Sequence, residues 1–264
     1  QMSSPANVFR ELHETGCFIV PNPWDAVSAR LLAHCGFKAL ATTSSGYAFT
    51  TGRRDSSRQI SRQEAVDHAL ALSRTTGLPV TLDGEDCFAD TPEGVAETVA
   101  RAAKAGLAGI SIEDRDTSNP GRIRPYSEAL ERVHAAVLEA RKSGIVLTAR
   151  ADGLSKRAYD LDEVLRRLSA FAEAGADVVY APGLPDLEAI RTVCASVPVP
   201  VNHVIGQGAT GLSFDQLADA GVRRISLGGS FTRAALSAIN TLGQTIAAGD
   251  FTSLDAAPAW SKLC

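Results

Sequence analysis

The sequence has no run approaching the roughly 18 consecutive apolar residues of a membrane span, and no surplus of one charge. Its 26 basic and 30 acidic residues are mixed along the chain for a formal net charge of −4. That distribution lays down no basic face for nucleic acid, and a membrane partner is equally unexpected. Five cysteines (Cys17, Cys35, Cys87, Cys194 and Cys264) never fall in CxxC spacing. An odd, scattered set suits reduced thiols in a cytosol rather than a disulfide framework. QMSSPANVFR at the N-terminus lacks the positive-then-apolar pattern of an export signal; Gln1, ahead of Met2, reads as an addition and is set aside. Linkers, low-complexity tracts and shifts of composition are missing too. The expectation is therefore a cytoplasmic, single-domain protein with a small-molecule substrate.

What is present is an alternation. Short β-branched or aliphatic runs are each followed by a longer Ala/Leu/Glu/Arg stretch of helical period. The strands are FIVPN (18–22), KALATT (38–43), PVTLD (79–83), GISIED (109–114), IVLTAR (145–150), DVVYAP (177–182), VPVNHV (199–204) and RRISLGG (223–229). Three helices end in Ala-Gly (105–106, 174–175, 220–221), with a strand a few residues on, as at the quiet end of a barrel. Eight such units in 264 residues predict a single (β/α)₈ barrel over the whole chain, a fold of about 250 residues. Residues 1–14 read as an N-terminal extension and 230–264 as a final helix and tail. The rival is an open doubly wound sheet, but PNPWDAV follows the first strand where a G-x-G-x-x-G turn would bind a dinucleotide.

In such a barrel the strand ends meet at one mouth, and here they end in polar groups: Asp83 with Glu85 beyond it, Glu113-Asp114, Arg150, and Asn202-His203. Asp83 and Glu85, two apart, point the same way if the extended backbone continues. Carboxylates from neighbouring parallel strands lie about 5 Å apart, where they repel unless a cation joins them. Oxygen-only ligands suit Mg²⁺ or Mn²⁺ better than zinc. Arg150 can bind a carboxylate or stabilise an enolate, or pair with Glu113 or Asp83. Cys87 reads as a packed thiol, and His203 as either a substrate-facing or a structural histidine.

PNPWDAVSARLLAHCGFKALATTSSGYAFTTGRRD, PVTLDGED, AGLAGISIEDR, TARAD, EAGADVVYAPG and VRRISLGG, in this order over roughly residues 15 to 245, resemble the isocitrate lyase and phosphoenolpyruvate mutase superfamily. The resemblance implies a (β/α)₈ barrel whose last helix is exchanged between subunits of a homodimer or homotetramer. It also implies Mg²⁺ bound to a small 2-oxo or 2-hydroxy carboxylate, and a pyruvate-enolate-like intermediate. Position by position, Asp83, Glu85 and Glu113 match the metal-binding acids, with Glu85 where aspartate is usual. Ser45, Gly46 and Tyr47 match a carboxylate-binding turn, the last two through backbone N–H. Asp55 matches an acid of the site and Arg150 the arginine at the C2 oxygen, with Asn202 also at the substrate. Arg150, Asp55 and Glu113 are thus the expected catalytic set.

The departures narrow the reaction. A K-[KR]-C-G-H motif carries the acid or base of isocitrate and methylisocitrate lyases, whereas DRDTSNPGRIRPY (114–126) has no cysteine, lysine or histidine. A histidine of phosphonopyruvate enzymes falls near Pro182. The reading is a Mg²⁺-dependent C–C lyase, decarboxylases and hydrolases included, acting on a 2-oxo or 2-hydroxy di- or tricarboxylate. The alternatives are a phosphonopyruvate mutase or hydrolase, and a barrel that binds a metabolite without catalysis. The long loop 114–126 reads as a mobile lid bringing Arg115, Asn119, Arg122 and Arg124 over the substrate. An apolar stripe on the final helix reads as a face for a neighbouring subunit.

Overall fold

The computed structural model describes residues 4–256; Gln1, Cys264 and the rest of 257–264 lie outside the described residues. Eight strands run in chain order: β1 (Phe18–Val20), β2 (Leu40–Ala41), β3 (Val80–Leu82), β4 (Gly109–Glu113), β5 (Val146–Arg150), β6 (Val178–Tyr180), β7 (Asn202–Val204) and β8 (Arg224–Ser226). All pairs are parallel, β2 through β6 forming one run and β1-β8-β7 the other. Two junctions join the runs into a ring. A bridge links Val179 to Val201, and the Ala41 N–H donates to the Pro21 carbonyl at 3.0 Å. This is the predicted barrel, and the open sheet is excluded.

Local signals set the helix ends. Asp25 caps α2 (Ala26–His34) by accepting the Ser28 N–H at 2.7 Å, and Thr91 caps α5 (Pro92–Lys104), whose proline needs no donor in the first turn. The helices α4 (Arg62–Thr76), α6 (Tyr126–Ser143), α7 (Leu161–Ala174), α8 (Leu187–Ser196) and α9 (Phe214–Asp219) complete the outer ring. Gly106, Gly175 and Gly221 take positive φ in the αβ turns, as the Ala-Gly repeats predict.

The strands sort their side chains by parity. Ile110, Ile112, Leu147, Val179 and Ile225 are buried in the layer between barrel and helices, each worth roughly 1.5–3 kcal/mol. The inward positions are unusual. Bulky branched residues commonly fill such a barrel, whereas here Thr81, Ser111, Asn202, Arg224 and Ser226 line a cavity of about 260 Å³ that opens at the C-terminal ends of the strands.

Two segments depart from expectation. Within the stretch set apart as an extension, α1 (Pro5–Glu11) closes the barrel floor, its Phe9 fully buried against Phe18 and His13. The loop after β2 contains a further short helix, α3 (Ser44–Thr50), capped by Thr43. The final helix, α10 (Ser230–Ala247), has only Thr232 buried, while Leu236 and Ile239 stand exposed.

Candidate active site

Parity decides which strand-end residue reaches the cavity. Glu113 follows Ser111 inward, and Asp114 turns outward, where Tyr159 Oη (2.7 Å), Arg167 Nη1 (3.0 Å) and the Asp152 N–H (2.8 Å) hold it. Burial raises the Asp114 pKa to about 6 even so. Asp114 is a brace for the next loop.

Glu113, Arg150 and Tyr180 sit side by side in register across β4, β5 and β6. The Arg150 guanidinium gathers the acids. It lies 3.0 Å from Asp83 Oδ1, 3.2 Å from Glu113 Oε2, and 3.0 and 3.2 Å from the two oxygens of Asp152, with the Tyr180 ring 4.7 Å beneath its carbon. Those acids hold the Arg150 charge more firmly than in water, although burial opposes it. Glu113 is pushed well above the usual carboxylate range, first by burial and then by Asp152, with Arg150 and Arg115 pulling the other way. Asp152 has no part in the sequence-based set. Its signal is its place two residues after Arg150, on the same face if the strand continues.

Glu85 corrects one expectation. Its φ of +47° breaks the extended run, so it does not share the orientation of Asp83 but lies behind it in a small side pocket beside Tyr47 and His68. Burial first, then Asp83, Asp55 and Asp86, raise its pKa to about 8. Arg150 stands between Asp83 and Glu113, and among the described residues no three acids are gathered as a ready-made metal cage. The donor set nonetheless fits a hard divalent cation. Glu113 Oε1, Glu85 Oε2 and Asp55 Oδ1 are all buried without a hydrogen-bond partner among the described residues, and oxygens in that state call for positive charge.

The carboxylate-binding turn is also placed differently. Ser45 lines the cavity, its Oγ 3.3 Å from Thr43 Oγ1. The Gly46 and Tyr47 amides, expected to face a substrate, are turned into α3: Gly46 N–H donates to Thr43 Oγ1 (3.2 Å) and Tyr47 N–H to the Thr43 carbonyl (3.0 Å). Gly46 serves packing, because a Cβ there would come within 2.5 Å of Thr232 Oγ1 on α10. The Tyr47 ring stacks on His68, and its hydroxyl donates to Glu64.

Asn202 reaches the cavity, but its amide donates to Ser226 Oγ (3.0 Å) and its Oδ1 accepts from Arg224 Nε (2.8 Å). Arg224 itself, deep in the barrel, has no carboxylate partner among the described residues; Thr148 Oγ1 and His13 Nε2 complete its surroundings. His203 points out of the barrel, fully buried, with neither ring nitrogen hydrogen-bonded among the described residues. Cys87 is fully buried, as a packed thiol should be.

The lid expectation fails for most of its residues in this conformation. Arg122 bonds Asp116 (2.6 Å) and Glu128 (2.7 Å), and the buried Arg124 reaches Asp86, Asp116 and Glu128. An antiparallel bridge between Arg115 and Ile123 closes the loop on itself. Asn119 is exposed away from the cavity, and of the four residues Arg115 alone lines it. Acids that the fold brings within reach, Asp86 among them, already hold these arginines.

Known proteins agree with this architecture. A protein from Burkholderia cenocepacia J2315 provisionally called a lyase/mutase superposes with a TM-score of 0.92 at 45% identity, over 98% of this chain and 93% of its own. An oxaloacetate acetylhydrolase in complex with oxalate gives 0.85 at 26%, over 97% and 90%. An oxaloacetate decarboxylase from Pseudomonas putida (strain GB-1) is 29% identical over 87% of this chain and 80% of its own. Residues 9–247 match the phosphoenolpyruvate phosphomutase family, and the chain belongs to that family of the isocitrate lyase and phosphoenolpyruvate mutase superfamily, an enzyme among lyases and mutases.

Proposed function

We propose that the protein is a divalent-metal-dependent C–C lyase of decarboxylase or hydrolase type, taking a small 2-oxo or 2-hydroxy dicarboxylate to a pyruvate-like enolate. The observation that carries this is Arg150 at the strand ends, within 3.2 Å of Asp83, Glu113 and Asp152, beside buried carboxylate oxygens that lack partners. Arg150 holds the C2 oxygen and offsets the charge that develops there as the C–C bond breaks. Ser45 bonds the C1 carboxylate, and Asp55 stands by the same cavity. Mg²⁺ or Mn²⁺, held by Asp83 and Glu113 with Glu85 behind, would supply Lewis acidity at the C2 oxygen. The relatives named for oxaloacetate chemistry support this substrate class.

The P–C alternative has weaker support in the site. Thr117, which would contact a phosphonate from the loop, is buried on Asp86, and Ser118 bonds Asp116. The test is turnover of a panel of 2-oxo and 2-hydroxy acids with Mg²⁺, with phosphonopyruvate followed by phosphorus NMR. Pyruvate release from a C4 acid, or release of oxalate and acetate if the bond is cut by hydrolysis, abolished by EDTA and by Asp83→Ala, is the expected result. Binding without product would make the barrel a metabolite binder.

The exposed Leu236 and Ile239 on α10 support assembly into a homodimer or homotetramer through that helix. Light scattering giving one 27.7 kDa chain in solution would refute it.

A further inference from the structure

The enolate reading leaves one step without an agent, since the carbon that loses its C–C bond must gain a proton. The loop after β4 offers no cysteine, lysine or histidine. Elsewhere the usual donors are turned away: Cys87 is sealed off, His203 faces out of the barrel, and the Tyr47 hydroxyl is engaged by Glu64. Lys156 lines the cavity but stands exposed at its rim.

Tyr180 is different on four counts. It ends β6, so its side chain is delivered by a rigid strand. It is paired in register with Arg150, and its ring lies 4.7 Å from the guanidinium carbon. It is buried except where it lines the cavity. And among the described residues no protein group bonds its hydroxyl, whereas the hydroxyls of Tyr47 and Tyr159 each have a carboxylate. A phenol in a pocket wall without a protein partner has its O–H available to a ligand. If Arg150 fixes the C2 oxygen, C3 is two bonds from it, near a residue paired in register with Arg150.

Resting on the proposed lyase reaction, we propose that Tyr180 is the general acid that protonates C3 of the enolate. As the C–C bond breaks, its electron pair moves into the enolate and the departing carboxylate leaves as CO₂. The enolate then forms the C3–H bond with the phenolic proton, giving pyruvate or its homologue. Tyr180 is left as phenolate beside Arg150 and recovers a proton from solvent water when product leaves. Burial holds the Tyr180 pKa above that of an ordinary phenol, so the acid form is the one present at neutral pH.

Tyr180→Phe separates this role from support of Arg150, because the ring remains. Two readouts are compared with wild type: Mg²⁺-oxalate affinity by calorimetry, and Mg²⁺-dependent exchange of the pyruvate methyl protons in D₂O by NMR. The expected result is an affinity close to wild type with exchange slowed roughly 10²–10⁴-fold, the span of general acid catalysis. Tyr180→Leu, which also removes the platform, should weaken oxalate as well. Exchange at the wild-type rate in Tyr180→Phe with oxalate binding intact overturns the assignment, as does a wild-type protein that binds Mg²⁺-oxalate but exchanges no methyl protons. If wild type binds no Mg²⁺-oxalate and consumes no oxo acid, the enolate reading itself has failed and Tyr180 falls with it.

Discussion

Arg150 and Arg224 both enter the barrel, one at the mouth and one near the floor, and their surroundings are opposite. Arg150 lies among Asp83, Glu113 and Asp152. Among the described residues Arg224 is solvated by neutral groups alone, namely Asn202, Thr148 and His13, and burial lowers its pKa to about 10. At the mouth the acids outnumber the arginine, leaving negative charge for a cation to neutralise. At the floor, dipoles replace water around a lone guanidinium that cross-links β8, β7, β5 and the segment after α1. The comparison teaches that a buried arginine in a barrel is read by its partners: carboxylates with spare oxygens mark chemistry, and saturated neutral groups mark architecture.

Three substitutions test that distinction. Arg150→Met should lower kcat/KM by roughly 10²–10³-fold, as for loss of one donor to a developing oxyanion, with the fold kept by circular dichroism. A smaller loss would move Arg150 out of the reaction. Arg124→Ala sharpens the rule with a third buried arginine, one whose acids have no cavity to face. It should cost about 3 kcal/mol in urea unfolding, because Asp86 loses a buried partner. An effect on KM at unchanged stability would restore the lid. Arg224→Met should cost about 2 kcal/mol by leaving Asn202, Thr148 and His13 unsatisfied, and should leave Mg²⁺-oxalate affinity nearly unchanged. Weakened oxalate would place the floor arginine in the site after all.

A fourth effect depends on pH. Burial alone lowers the His203 pKa from 6.5 to about 4. The unfolded chain therefore binds a proton that the folded chain refuses between those values. Stability is full above pH 6.5 and falls as pH drops toward 4, by up to roughly 1.4 kcal/mol per pH unit from this residue. His203→Leu should flatten that part of the urea-unfolding profile. An unchanged acid slope would mean that the imidazole is not held neutral.

Much of this was legible in the sequence, and for physical reasons. Apolar runs ending in acids located the strands and the mouth, and period-two alternation separates Glu113 from Asp114 once the strand is known. Asp25 and Thr91 announced their helices because capping is local. Glu85 was misjudged because nothing near it signals a left-handed backbone at a non-glycine position. The arginines of the 114–126 loop carry charge that suits a substrate as well as a neighbouring acid, and only the fold shows that Asp86 and Glu128 are within reach. Tyr180 and Arg224 lie in strands whose inward face sequence cannot distinguish until the register is fixed.

Asp86 has a consequence for how the site moves. This fully buried carboxylate bonds Arg58 after α3, the Phe88 amide in its own loop, and both the amide and hydroxyl of Thr117 in the loop after β4. Three active-site loops thus share one knot, and none can open far without loosening the others. In hydrogen exchange they should open as a single cooperative unit with one opening free energy. Whatever admits substrate past the rim must be a motion that leaves that knot tied.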